Sequence, residues 1–151
     1  MTDTSSQRSL DFLDGFVGEW NMSSSLAPDP ADAPHGRTAF EWLPQRRFLI
    51  QRWEVDHPAA PDGIAIIGFE AGSATLLQHY FDSRGVARIY EMTLADGVWK
   101  LWRTATAPDF SQRFTGTFDT AGDTIAGAWE ISHDGVTWEH DFDLTYTRAD
   151  R

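Results

Sequence analysis

Cysteine is absent from the 151 residues, which excludes disulfides, thiolate metal sites and thiol nucleophiles. Stability must then come from packing and hydrogen bonds. Lysine is nearly as scarce: Lys100 is the only one among twelve basic residues, set against 23 acidic ones for a net charge of −11. Such a balance disfavours nucleic acid and anionic membrane surfaces, because both select a cationic face. No apolar run approaches the ~18 residues of a membrane-spanning helix. The polar opening residues lack the basic and then apolar order of a secretory leader. The expectation is a cytoplasmic protein with no membrane partner, read as one domain over 1–151 with a flexible terminus at 1–8.

Helical periodicity is the other scarcity. Only Leu10, Leu13 and Phe16/Val17 recur at helical spacing, with Ser6 or Ser9 placed to cap the segment and Gly15 and Gly18 to end it. What is abundant is the aromatic side chain, with seven Trp and ten Phe. That load implies a large apolar interior, an aromatic-lined pocket or a buried interface. Beyond the helix the chain reads as about ten alternating segments, near 19–26, 37–43, 48–55, 64–70, 74–81, 86–94, 98–105, 112–118, 124–132 and 137–148. Most joining segments are very short, so sequence neighbours should pair as hairpins. With a single short helix to cover it, such a sheet is expected to close on itself. The predicted fold is therefore all-β, an antiparallel up-and-down barrel. The longest loop, 28–36, reads either as a lid over one mouth or as a plain surface loop.

Two Asp-Gly pairs, Asp96-Gly97 and Asp134-Gly135, carry the signature of two-residue type I′ turns. The first sets Leu94 opposite Trp99, Met92 opposite Leu101 and Tyr90 opposite Arg103, and turns Arg88, Tyr90 and Arg103 inward. The second sets Trp129 opposite His140 and Gly127 opposite Phe142. It predicts that Trp138, His140, Phe142, Leu144 and Tyr146 all face inward, with Gly127 leaving room beside Phe142. The turn at Asp82-Ser83-Arg84-Gly85 admits two registers. A three-residue loop with a glycine bulge, the preferred reading, sends Gln78 and Tyr80 inward; a four-residue loop sends His79 and Phe81 inward.

The short helix leading into Gly18-Glu19-Trp20, the run of hairpins and the closing Tyr146-Thr147-Arg148 together resemble the calycin superfamily of lipocalin, fatty-acid-binding and nitrobindin-like barrels. By that resemblance Trp20 would plug the barrel base and Arg148 would pack over it. Arg47-Phe48-Leu49-Ile50, the segment from His79 to Gly85 and the strand around Gly127–Trp129 are similar to an uncharacterised bacterial lipocalin-like family. That likeness covers almost the whole chain and carries no firm activity.

The best chemical candidate is Arg88-Ile89-Tyr90 with Arg103. It resembles the Arg-x-Tyr arrangement that, with a second arginine, holds the ligand carboxylate in fatty-acid-binding proteins, although here the motif lies in a middle strand. A buried guanidinium keeps its charge and needs an anion, a carboxylate or water. The structural alternative is an internal ion pair with Glu130, Glu91 or Glu54. The leading expectation is a binding barrel for a small hydrophobic or amphipathic ligand. Trp53, Trp99, Trp129 and Phe142 would line its apolar part; Arg88, Tyr90, Arg103 and His140 would meet its polar end. An acid–base isomerase or cyclase using Tyr90 and His140 is the second reading. A homodimer through exposed aromatics such as Trp42 or Trp102 is the third. No histidine pair has metal-ligand spacing, so no metal site is expected. No cofactor is expected either; haem is the weaker option, because nitrobindin-like barrels hold it through a last-strand histidine and His140 lies early on that strand.

Overall fold

A computed structural model describes residues 9–25, 35–58, 60–106 and 108–149. The expected flexible terminus, Ser6 as a cap and most of the 28–36 loop lie outside the described residues. Ten strands follow one short helix: β1 (Gly18–Ser24), β2 (His35–Trp42), β3 (Leu49–Val55), β4 (Gly63–Phe69), β5 (Leu76–Asp82), β6 (Ala87–Ala95), β7 (Val98–Arg103), β8 (Ser111–Phe118), β9 (Thr124–Ser132) and β10 (Glu139–Arg148). Each pairs antiparallel with its sequence neighbours, and β1 pairs with β10, so the sheet closes into an up-and-down barrel without a free edge. The all-β barrel expected from turn spacing is the fold observed. Among the described residues no helix is long and apolar enough to cross a membrane.

The helix is a six-residue 3-10 turn, Asp11–Phe16, rather than an α-helix. Three residues per turn place Leu10, Leu13 and Phe16 in one row, and all three are buried. The Ser9 hydroxyl accepts from the Asp11 amide at 3.1 Å. The row seals one end of the barrel. Trp20 sits above it, fully buried, its indole N–H donating to the Phe16 carbonyl at 2.8 Å. Arg148 lies opposite Trp20 in the β1–β10 ladder, with its guanidinium 4.0 Å from the indole centroid. It donates to the Val17 carbonyl at 2.7 Å and to the Gly15 carbonyl, capping the helix end. Gly18 makes this closure possible: its φ is +123°, and a Cβ there would stand 3.1 Å from the Arg148 guanidinium.

The β6–β7 hairpin follows the type I′ expectation. Asp96 and Gly97 both have positive φ, at 54° and 75°, and Leu94 pairs with Trp99 and Met92 with Leu101. The β5–β6 turn is the three-residue loop. Asp82 and Val86 close it, Gly85 sits at φ +85°, and Tyr80 pairs with Arg88 and Gln78 with Tyr90. Gln78 and Tyr80 therefore face inward.

The β9–β10 hairpin departs from expectation. Ladder pairing begins only at Ile131–Glu139, and a bulge between His140 and Phe142 shifts the register. The cause is Asp134. Its carboxylate accepts the Val136 and Thr137 amides at 2.7 Å each, while Ser132 Oγ accepts from Gly135 at 2.9 Å. These side-chain bonds supply a wide local turn in place of the tight one. Phe142 then pairs with Trp129 and Leu144 with Gly127, not the pairs that a two-residue loop predicts. Phe142, Leu144 and Tyr146 still face inward, but His140 and Trp138 are outside. Trp138 lies under the Arg113 guanidinium on the outer surface, and His140 pairs there with Asp143 at 2.8 Å. The room at Gly127 is taken by Phe114, since a Cβ there would run into the Phe114 ring.

Candidate ligand-binding site

The barrel interior alternates by depth. At the sealed end it is filled by Phe16, Phe40, Leu49, Ile67 and Trp20. Toward the other end the strands carry Trp53, Tyr80, Tyr90, Trp129 and Phe142, and these rings surround a cavity of about 290 Å³. Trp99 forms part of its floor, its indole N–H buried without a hydrogen-bond partner among the described residues and flanked by the rings of Phe16, Phe114 and Tyr146.

The wall is one chain of ring contacts. Trp53 stacks on Tyr80 at 5.3 Å between centroids, and Tyr80 meets Tyr90 edge-on at 6.1 Å. Tyr90 meets Trp129 at 5.6 Å, and Trp129 stacks on Phe142 at 6.5 Å. Successive rings come from β3, β5, β6, β9 and β10, so the barrel closure itself brings them together. Gly63 on β4 lets the Trp53 indole lie across the strand, because a Cβ there would run into the ring. The Trp53 N–H is anchored on the Pro61 carbonyl at 3.2 Å.

The mouth is polar and built from two clusters. In the first, Gln112 Oε1 accepts from Tyr90 Oη at 2.8 Å, Arg103 Nε at 2.9 Å and Arg88 Nη1 at 3.3 Å. Three donors on one carbonyl exceed its two lone pairs, so the donors are incompletely served. Arg103 is also forked onto Asp109, at 3.1 and 3.3 Å. The Arg103 guanidinium beside Asp109 and the Phe110 amide hold the Asp109 carboxyl below its usual range. Phe110 lies beneath both arginines, 5.2 Å from each guanidinium carbon. Burial pushes the Tyr90 phenol up, against the opposing pull of Arg88 and Arg103, so it stays protonated and donates.

In the second cluster, the Asp82 carboxylate is fully covered and accepts from Tyr80 Oη at 2.6 Å and Arg84 Nη2 at 2.7 Å. Burial raises the Asp82 pKa, but the bonds from Arg84 and Tyr80 outweigh it and bring the group to about 2. Burial first, and the adjacent carboxylate second, push the Tyr80 phenol well above its ordinary value. Three guanidiniums at the mouth, from Arg84, Arg88 and Arg103, thus face two carboxylates, Asp82 and Asp109, leaving one positive charge. That charge is Arg88: it is half-buried, lines the cavity, and has no carboxylate in ion-pair range among the described residues.

Arg88, Tyr90, Trp53, Trp99, Trp129 and Phe142 all line this one cavity, and Arg103 joins it through Gln112. His140 is the exception, with its side chain 57% exposed on the outer face. The internal carboxylates expected for the arginines are elsewhere too. Glu130 pairs with Arg113 at 2.9 Å on the outside, and Glu91 accepts from the Trp102 indole at 3.0 Å. The carboxylate that meets Arg103 is Asp109, carried by a loop.

Gln112, Asp109 and the Tyr80–Asp82–Arg84 cluster were not singled out from the sequence. Alternation in β8 places Gln112 on the Phe114 face, and Tyr80-x-Asp82 puts both residues on one face of β5. Both signals were present but did not stand out among ordinary polar residues. No histidine lines the cavity among the described residues, so the fit expected for haem through His140 is not met. Among the described residues no three His, Asp or Glu side chains converge as a metal site.

The chain matches no protein-family model and no curated protein sequence. Among solved structures it is similar to the crystal structure of Rv2717c from M. tuberculosis, at a TM-score of 0.65 and 12% identity, over 93% of this chain and 97% of that one. At that identity the likeness is one of fold, and it extends over nearly the full length of both chains.

Proposed function

We propose that this barrel binds a small aromatic or otherwise largely apolar anion, with its charge at the mouth beside Arg88 and its body within the aromatic wall. The observation that carries this reading is Arg88 itself, a half-buried guanidinium at the cavity mouth that donates to the shared oxygen of Gln112 and meets no carboxylate among the described residues. A permanent charge so placed favours an anion, most of all a planar carboxylate that it can meet with two parallel bonds. The cavity, at about 290 Å³, is at the small end of ligand pockets, roughly 300–1,000 Å³. It suits one ring or a fused pair better than a long acyl chain.

Tryptophan fluorescence tests this directly, because Trp53, Trp99 and Trp129 line the cavity. Titration with 2-naphthoate and with its neutral carboxamide is expected to favour the carboxylate at least tenfold. Arg88→Ala is expected to abolish the difference while leaving the carboxamide affinity unchanged. Equal affinities in the unaltered protein would overturn the reading. The acid–base enzyme reading lacks its base, since His140 does not reach Tyr90's cavity. The dimer reading gains nothing from Trp42 or Trp102, because both are half-buried and hydrogen-bonded to their own chain's Asp14 and Glu91.

A further inference from the structure

Two glutamines lie in the barrel at similar depth, each only 4% exposed, and they are not alike. Gln51 is served by its own chain: its Nε2 donates to Thr38 Oγ1 at 3.3 Å, and Thr38 in turn donates to the Arg52 carbonyl at 3.0 Å. Gln78 lines the same cavity; its backbone is paired with Ile67 and Tyr90 in the sheet, and its side chain makes no hydrogen bond among the described residues. Its carboxamide offers two donors and two acceptor sites toward the cavity, and a ligand that covered them without pairing them would meet a cost. On the neighbouring strands Gln78 is paired with the apolar Ile67 on β4 and with Tyr90 on β6, whose phenol is already bonded to Gln112. Beside the unpartnered indole N–H of Trp99, Gln78 is thus a polar group of the inner cavity that packing does not explain.

Its position sets a length. Gln78 pairs with Tyr90 across β5–β6, and Arg88 is two residues nearer the mouth on the same strand as Tyr90. At about 3.4 Å per residue, the two strand positions are roughly 7 Å apart along the barrel. That is about the distance between groups at opposite ends of one six-membered ring. The inner lining around Gln78, namely Gln51, Leu101, Phe114, Tyr146 and Trp99, carries no formal charge. A second ionised group at that depth would be unpaired and desolvated.

From these facts we infer that the ligand is bipolar: a single aromatic ring with a carboxylate at the mouth and an uncharged hydroxyl or carbonyl at the opposite position, read by Gln78. The ligand class is the hydroxylated aromatic monocarboxylates. The inference rests on the orientation proposed above, with the anion at Arg88. Gln78 acts as a specificity residue, favouring a ligand that can pair with its carboxamide over an apolar isostere that leaves it unpaired.

The test is calorimetric titration of the full chain with 4-hydroxybenzoate, 4-methylbenzoate and terephthalate, repeated on Gln78→Met and Arg88→Ala. In the unaltered protein the hydroxyl compound is expected to bind at least tenfold more tightly than the methyl compound, and terephthalate more weakly than either. Gln78→Met keeps the side-chain volume; it should remove the hydroxyl preference and leave 4-methylbenzoate affinity within about twofold, which also shows the variant folded. Arg88→Ala should weaken the hydroxyl and methyl compounds alike. Equal binding of those two, still dependent on Arg88, would overturn the role of Gln78 and leave the anion site standing. Binding insensitive to Arg88→Ala, or no binding by any of the three, would overturn the anion site and this inference with it.

Discussion

The two ends of the barrel use similar residue types for opposite purposes. At the sealed end an arginine, a tryptophan and backbone carbonyls satisfy one another: Trp20 donates to Phe16, and Arg148 covers Trp20 and donates to the carbonyls behind it. At the open end arginines, tyrosines and tryptophans again meet, but Arg88 and Gln78 are left with capacity that the chain does not use. The sealed end supplies packing and stability. The open end holds back interactions that a ligand can take up. Substitutions should therefore divide cleanly, with stability lost at one end and recognition at the other.

The largest effect should come from Trp20→Ala. Removing a fully buried indole from a filled end costs about 3–5 kcal/mol, and at about 2–4 °C per kcal/mol for a domain of this size the midpoint should fall by roughly 6–20 °C. Thermal melts followed by circular dichroism measure it. A loss comparable to that of a surface substitution would show that the sealed end does not hold the barrel together.

Next is a pH effect that belongs to the open end. The Asp82 carboxyl has its pKa depressed to about 2 from an ordinary 3.8, with its side chain fully covered. A depressed acid stabilises the folded state above the ordinary pKa, and that stability is lost as pH falls through the folded value. The window is therefore about pH 5 down to pH 2, and the loss is on the order of 2 kcal/mol. Urea unfolding at several pH values should show the unaltered protein weakening across that window. Asp82→Asn should start weaker and show a flatter profile. If the two profiles run parallel, the open-end cluster contributes nothing that depends on its charge.

Arg88→Ala is expected to do the reverse of Trp20→Ala. Arg88 is half-buried and shares its acceptor with two other donors, so unfolding stability should change by no more than about 0.5 kcal/mol. Binding of aromatic carboxylates should fall tenfold or more. A stability loss as large as that of a core truncation would recast Arg88 as part of the structural framework and dissolve the contrast between the ends.

Much of this was legible in the chain. Turn spacing and alternation were enough for ten strands, closure and the inward set Arg88, Tyr90, Trp129 and Phe142, because a two-faced strand leaves only one way to bury its apolar residues. The Trp20–Arg148 closure followed from a resemblance and was found in the geometry. Less legible was anything set by a side chain that bonds to its local backbone. Asp96-Gly97 and Asp134-Gly135 are the same dipeptide, yet the first makes the tight turn and the second does not. In the second, Ser132 and Asp134 offer the backbone other partners. The Gln112 hub was hidden for another reason, since a neutral glutamine on an inward face announces nothing until two arginines and a tyrosine from other strands converge on it.

His140 gives the smallest expected effect and the sharpest check on that hairpin. Straight alternation through β10 would put it beside Phe142's face, within the cavity, and its removal would then weaken binding. The bulge at Asp141 instead turns it outward, where its imidazole meets Asp143 at 2.8 Å and more than half of its side chain is exposed. His140→Ala should therefore leave aromatic carboxylate affinity within twofold of the unaltered protein and stability within about 0.5 kcal/mol, as for other surface positions. Phe142→Ala, only two residues away but inside the wall, should weaken binding severalfold. A large effect at His140 alongside the one at Phe142 would mean that β10 runs in the straight register, and the polar end of the site would have to be redrawn around the imidazole.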